Sequence, residues 1–225
     1  MLGKALTSAL RQAGIDASPT YNSRPFPGGV ALNITDADAV RSCFEDISPD
    51  LVFIAVMPSG GADYCETHTD ELNALNGEAT RSIAESAASA GTRVVYYSSD
   101  YVFDGPSGPY KEDDEPSPIN AYGRSKLDAE TVIQSICPDT LIIRTTAVFA
   151  WDRTSPNFAM QVWDRLQSGE PMKVPDDQIG NPTLASYLAE ASVRLAQQSE
   201  TGIFNVVGKD LMPRSDLGRA LARAM

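Results

Sequence analysis

The stretch from Arg93 to Glu130, RVVYYSSDYVFDGPSGPYKEDDEPSPINAYGRSKLDAE, constrains this chain more than any other. An apolar run ends in Ser98 and Ser99, a Pro/Gly/Asp-rich loop follows, and Lys126 comes four residues after Tyr122. A short apolar run bounded by turn residues predicts a buried strand, and the segment after the loop predicts a helix that opens near Tyr122. Residues four apart share a helix face, so Tyr122 and Lys126 point into one cleft. A free phenol titrates near ~10. An ammonium beside it favours the phenolate and lowers that value, which suits a general acid working near neutral pH. A hydroxyl at the strand end, Ser99 or Ser98, would hold a substrate oxygen beside the phenol. Any hydride would have to come from a cofactor, because no side chain supplies one. Tyr-x-x-x-Lys alone is a weak signal, and by itself it more often means a packed tyrosine and a solvated lysine. The serine-ended strand before it gives the pair its weight.

The rest of the chain repeats the strand-helix alternation. Leu2 to Ala13 has apolar residues at helical spacing and a stop at Gly14. Strands are expected at 15–21, 30–34, 51–57, 141–148 and 202–207, with Leu51 to Met57 reading as a fully buried parallel strand that ends at Pro58. Thr35 is expected to cap a helix, with Asp38 completing a capping box. Leu72, Leu75, Ala79, Ile83 and Ala87 form one helical stripe. Further helices are expected at 158–166, 184–197 and 216–225, the last capped by Ser215. Such alternation predicts an α/β fold with a doubly wound parallel sheet.

With 225 residues and a net charge of -12, the chain makes a poor partner for nucleic acid or an anionic membrane. No segment approaches the ~20 apolar residues of a membrane span. Cys43, Cys65 and Cys137 are odd in number and have no metal-like spacing, which predicts free thiols, no metal site and a cytoplasmic setting. The single histidine, His68, is expected to be solvated or to cap a helix.

The order SSDYVFDG, then PYKEDDEPSP, then NAYGRSKLDAE resembles the extended short-chain dehydrogenase/reductases. Within them it is similar to the dTDP-4-dehydrorhamnose reductases and to the regulatory beta subunits of methionine adenosyltransferase. The resemblance implies a single Rossmann-like NAD(P)-binding domain over residues 1–225, with 150–183 and 208–225 contributing part of a substrate lobe. It implies that the first strand and the C-terminal lobe are incomplete. It assigns catalysis to Ser99 as orienting hydroxyl, Tyr122 as acid and Lys126 as ribose clamp, places Tyr122 with Lys126 among the cofactor-binding residues as well, and turns Asp100 and Ser99 toward the sugar. Leu2 and Gly3 match the end of the family's glycine-rich turn, Asn33-Ile34 the pair along the adenine, and Val56-Met57-Pro58 a bulkier version of the nicotinamide-side floor. Arg24, after the second predicted strand and without an acid nearby, favours NADP(H), with NAD as the alternative. Asn76 matches a helix asparagine that supports the active site. The segment 176–183 resembles a loop beside the substrate lobe. Ala147 stands where the reductases have an aromatic residue.

The expected activity is NADPH-dependent reduction of a nucleotide-linked 4-keto-6-deoxy sugar, as in dTDP-rhamnose biosynthesis. The first alternative is a non-catalytic regulatory subunit that binds a partner enzyme, and a homodimer is also compatible with the sequence. The second is a nucleotide-sugar epimerase or dehydratase. A dehydratase is disfavoured because Tyr101, not Glu, follows Asp100.

Overall fold

The structure is a computed structural model that describes residues 1–58 and 60–225. Among the described residues the elements run α1 (Leu2–Gln12), β1 (Thr20–Tyr21), β2 (Val30–Ala31), α2 (Ala37–Ile47), β3 (Leu51–Ile54), α3 (Gly61–Cys65), α4 (Thr69–Leu72), a π-helical turn (Asn73–Ala79) and α5 (Thr80–Ala90). Then come β4 (Arg93–Ser99), a 3-10 turn (Asp100–Val102), α6 (Ala121–Ile136), β5 (Leu141–Thr145), β6 (Val148–Phe149), α7 (Phe158–Ser168), β7 (Ile179–Gly180), β8 (Thr183–Leu184), α8 (Ala185–Gln197), β9 (Gly202–Asn205), β10 (Met212–Pro213) and α9 (Arg214–Ala224). The chain forms two compact units. The first comprises Met1–Ile15, Thr145–Leu195 and Val206–Met225; the second comprises Asp16–Arg144 and Ala196–Asn205.

The second unit is an α/β layer structure. Its sheet has the order β3-β4-β5-β9, and the β3–β4 and β5–β9 pairs are parallel. Val40 and Phe44 of α2, Ile83, Ala84 and Ala87 of α5, and Ala129 and Ile133 of α6 share one core with Ile54, Val94, Tyr96 and Ile142 of the strands. Ile133 and Ile142 are fully buried, which contributes about 1.5–3 kcal/mol for each side chain. Gly91, in the left-handed conformation at φ 70, stops α5 and feeds the chain into β4. In the first unit, β6 pairs with β8 in parallel and β7 with β10 antiparallel, beside α1, α7 and α9.

Several boundaries differ from the sequence expectation. The strand at 51–57 ends at Ile54, and Leu51 to Phe53 are only half-buried, because β3 is an edge of its four-stranded sheet. The 15–21 and 30–34 strands shrink to two residues each. The 141–148 strand breaks after Thr145, where Ala147 adopts φ 43. Asp36, not Thr35, caps α2. Its carboxylate accepts from the N–H groups of Asp38 and Ala39, while Thr35 donates to the Asn33 side chain. Pro213 leads straight from β10 into α9, so Ser215 lies inside the helix and accepts from Arg219 instead of capping. The helical stripe at 72–87 is interrupted by the π turn, whose wider spacing brings Asn76 to the buried side.

Candidate functional site

The site grows from the carboxyl end of β4, in the second unit. Side chains alternate along a strand, so Ser98 and Ser99 face opposite ways. Ser98 Oγ is buried with no hydrogen-bond partner among the described residues. Ser99 caps the 3-10 turn, accepting from the Tyr101 N–H at 3.2 Å and donating to Asp100 Oδ1 at 3.0 Å. Its hydroxyl lies near enough to the Tyr122 phenol to favour the ionised form of that phenol. The structure therefore distinguishes between the two serines: Ser99 meets the tyrosine. Asp100 is exposed at the mouth of this turn.

Tyr122 sits in the first turn of α6, whose N-cap, Asn120, accepts from the Gly123 N–H at 2.7 Å. Gly123 is there for space: a Cβ on it would lie 1.9 Å from the Tyr101 carbonyl oxygen. Only this bare backbone lets α6 approach the 3-10 turn closely enough for Ser99 and Tyr122 to meet. The sequence reading used Gly123 only as part of a motif. The ring of Tyr122 packs on Cys65 and Leu72 and edge-on to Tyr101 at 5.8 Å. Asn76 donates to Ser125 Oγ at 2.9 Å, and Ser125 Oγ donates to the Tyr122 carbonyl at 2.8 Å.

Lys126 is buried one turn further along. Its ammonium donates to the carbonyls of Tyr97 at 3.0 Å and Val56 at 3.4 Å, and it lies 4.7 Å from the centre of the Tyr96 ring. It thus ties the end of β4 to the segment just after β3, where Met57 is exposed and Pro58 buried. Arg24 and Asn33 are exposed just beyond β1 and β2, and Ile34 packs against the core of this unit. Leu2 and Gly3 occupy the first turn of α1, in the first unit. A cavity of about 560 Å³ in the first unit, lined by α7, α9 and residues 169–174, contains none of the predicted catalytic or cofactor residues.

The electrostatics correct the sequence expectation. The Tyr122 phenol is pushed up, not down. Burial is the main cause, the Asp100 carboxylate adds to it, and the nearby Ser99 hydroxyl opposes it. Lys126 is pulled down to about 8 by burial, against the pull of Glu130 and Cys65. For both groups, removal from water is the largest cause of the shift.

The lysine shift has a measurable consequence. Between about 8 and the ordinary ~10.4, the unfolded chain binds this proton and the folded chain does not. Stability therefore rises with pH across that window, and it is penalised below it. Relative to Lys126→Met, the native protein should gain on the order of 2 kcal/mol between about pH 7.5 and 10. Urea midpoints at the two ends measure this, and parallel trends in the two proteins would contradict it. Tyr122 acts in the opposite sense, but only above its ordinary ~10.

A buried charge network missed by the sequence reading lies behind Lys126. Arg144 Nε and Nη2 donate to Glu130 Oε1 and Oε2 at 3.0 and 2.7 Å, with both side chains 3% exposed. Arg144 also lies 5.1 Å from the centre of the Phe103 ring, which stacks on Tyr110. An arginine inside the apolar run Leu-Ile-Ile-Arg was the available signal, since a buried cation requires a partner. His68 is exposed and stacks on Tyr64 at 3.6 Å.

Comparisons with known proteins place the chain in a family. The family described as the RmlD substrate binding domain matches residues 1–225. A protein of Haloferax volcanii named probable low-salt glycan biosynthesis reductase is 31% identical over 232 residues, covering 100% of this chain and 77% of its own length. Methionine adenosyltransferase 2 subunit beta of Danio rerio is 30% identical over 231 residues, covering 100% of this chain and 71% of its own. The crystal structure of a dTDP-4-dehydrorhamnose reductase from Bacillus anthracis in complex with NADP superimposes with a TM-score of 0.87 at 26% identity, covering 98% of this chain and 76% of that one. With its parallel sheet, its serine-ended β4 and the Tyr122–Lys126 helix, the chain belongs to the RmlD substrate-binding domain family.

Proposed function

We propose that this chain is an NADPH-dependent reductase of a nucleotide-linked 4-keto-6-deoxy sugar. The observation that carries the reading is the meeting of Ser99, Tyr122 and buried Lys126 at the carboxyl ends of β4 and β3. In open α/β sheets that is where ligands bind. Lys126 suits a cofactor ribose because it is a cation already aimed by two carbonyls. Exposed Arg24 suits a 2′-phosphate, and the Asn33 amide suits an adenine edge. The NADP complex of the structural relative supports this cofactor choice.

Bound NADPH supplies a hydride to the carbonyl carbon of the sugar. Tyr122 gives its proton to the oxygen that gains the electron pair, so the products are the alcohol and NADP+. Ser99 holds that oxygen in line with the phenol, and Asp100 faces the sugar hydroxyls. Burial keeps the phenol neutral, hence a donor, across working pH.

A test is to titrate NADPH into the purified protein by nicotinamide fluorescence, then add a dTDP-4-keto-6-deoxyhexose. Binding followed by oxidation of the cofactor is expected. Binding without oxidation, or no binding, favours the second reading, a regulatory subunit that binds a partner enzyme. That reading draws on the likeness to methionine adenosyltransferase 2 subunit beta and on Ala147, a small residue at positive φ where an aromatic was expected.

A further inference from the structure

We propose that Glu66 is a positioning residue, whose carboxylate latches the α3–α4 segment onto the first turn of α6 and so fixes the seat of Tyr122. The inference rests on the reading of Tyr122 as the acid.

The first N–H groups of a helix have no partner inside it. In α6, Asn120 takes the Gly123 N–H, and Glu66 Oε1 takes the Ala121 N–H at 2.6 Å from 55 positions away in sequence. A carboxylate at a helix N-terminus is favoured by the helix dipole, and the hydrogen bond is charge-assisted. Glu66 is itself exposed, so packing does not hold it there.

Glu66 ends α3 and stands between two short helices that are tied to each other. Tyr64 donates to Glu71 at 2.9 Å, and its ring stacks on His68, just before α4. These contacts tie the two short helices to each other. The inner side of the segment, Ala62, Cys65 and Leu72, closes over Tyr122. Cys65 is fully buried there, and Leu72 and Tyr122 are 2% and 7% exposed. Asn76, acting through Ser125, holds the Tyr122 backbone from within the chain that follows. The Glu66 latch holds it from the segment that covers it. Releasing the latch lets the cover lift, which exposes the Cys65 thiol and lets the phenol shift away from Ser99.

The experiment is iodoacetamide labelling of the native protein and its Glu66→Ala and Glu66→Gln variants, resolved by peptide mass spectrometry. Cys43 and Cys137 serve as internal controls, being half-buried away from this contact. Cys65 should react about tenfold faster in Glu66→Ala, with both controls unchanged. Glu66→Gln, which keeps an oxygen acceptor, should restore most of the protection. In the NADPH assay, Glu66→Ala should lower kcat about tenfold and leave the KM for NADPH within about twofold. An unchanged Cys65 rate, or equal acceleration at all three cysteines, overturns the latch. If the native protein oxidises no NADPH, the reductase reading fails while the labelling result still decides the role of Glu66.

Discussion

Tyr122→Phe is expected to lower turnover of a 4-keto sugar by about 10²–10⁴, the range that a positioned general acid supplies. NADPH affinity should stay within about threefold, because the nucleotide contacts proposed here involve Lys126, Arg24 and Asn33 and not the phenol oxygen. The substitution is structurally mild. Phenylalanine keeps the ring against Cys65 and Leu72 and edge-on to Tyr101. Ser99 still has Asp100 and the Tyr101 N–H as partners, so no buried hydroxyl is orphaned. Stability should therefore change by no more than about 1 kcal/mol. Steady-state kinetics with a parallel fluorescence titration check both halves, and a turnover loss below about tenfold would contradict the acid role.

Arg144→Met is expected to destabilise the protein by about 3–5 kcal/mol, the range for breaking a buried ion pair from one side. The methionine fills most of the volume but leaves the Glu130 carboxylate buried without its bidentate partner. It also frees the Phe103–Tyr110 stack, on which the arginine rests. Through Glu112 and Asn205 the same group of residues ties the acidic loop to β9. The loss should appear as a lower urea midpoint at constant slope. The double substitution Arg144→Met with Glu130→Leu should recover most of it, since two apolar side chains of similar volume replace an ion pair at little net cost. A double variant as unstable as the single one would show that packing, not the stranded charge, was responsible.

Much of this protein was legible in its residue order. Apolar runs of strand length alternating with helical stripes predicted the α/β layering. Tyr122 and Lys126, four apart, predicted a shared helix face. The reading went wrong where the outcome hung on neighbours. Thr35 lost its cap to Asp36, one residue on, because the chain turns there through the Asn33 side chain. The stripe from Leu72 could not announce a π turn, since one inserted residue leaves the apolar pattern nearly intact.

Local order determined which elements form and which side chains share a face, because pitch and pleat are set by the backbone within a few residues. Only the tertiary structure decided the direction in which these groups' titration shifts and the fine placement of the site. Burial raised the phenol and lowered the lysine, reversing the expected tuning of Tyr122. The carbonyls that aim Lys126 lie 29 and 70 positions away, and the Glu66 hydrogen bond spans 55. Loss of water and contact between distant segments arise only once the chain has closed on itself.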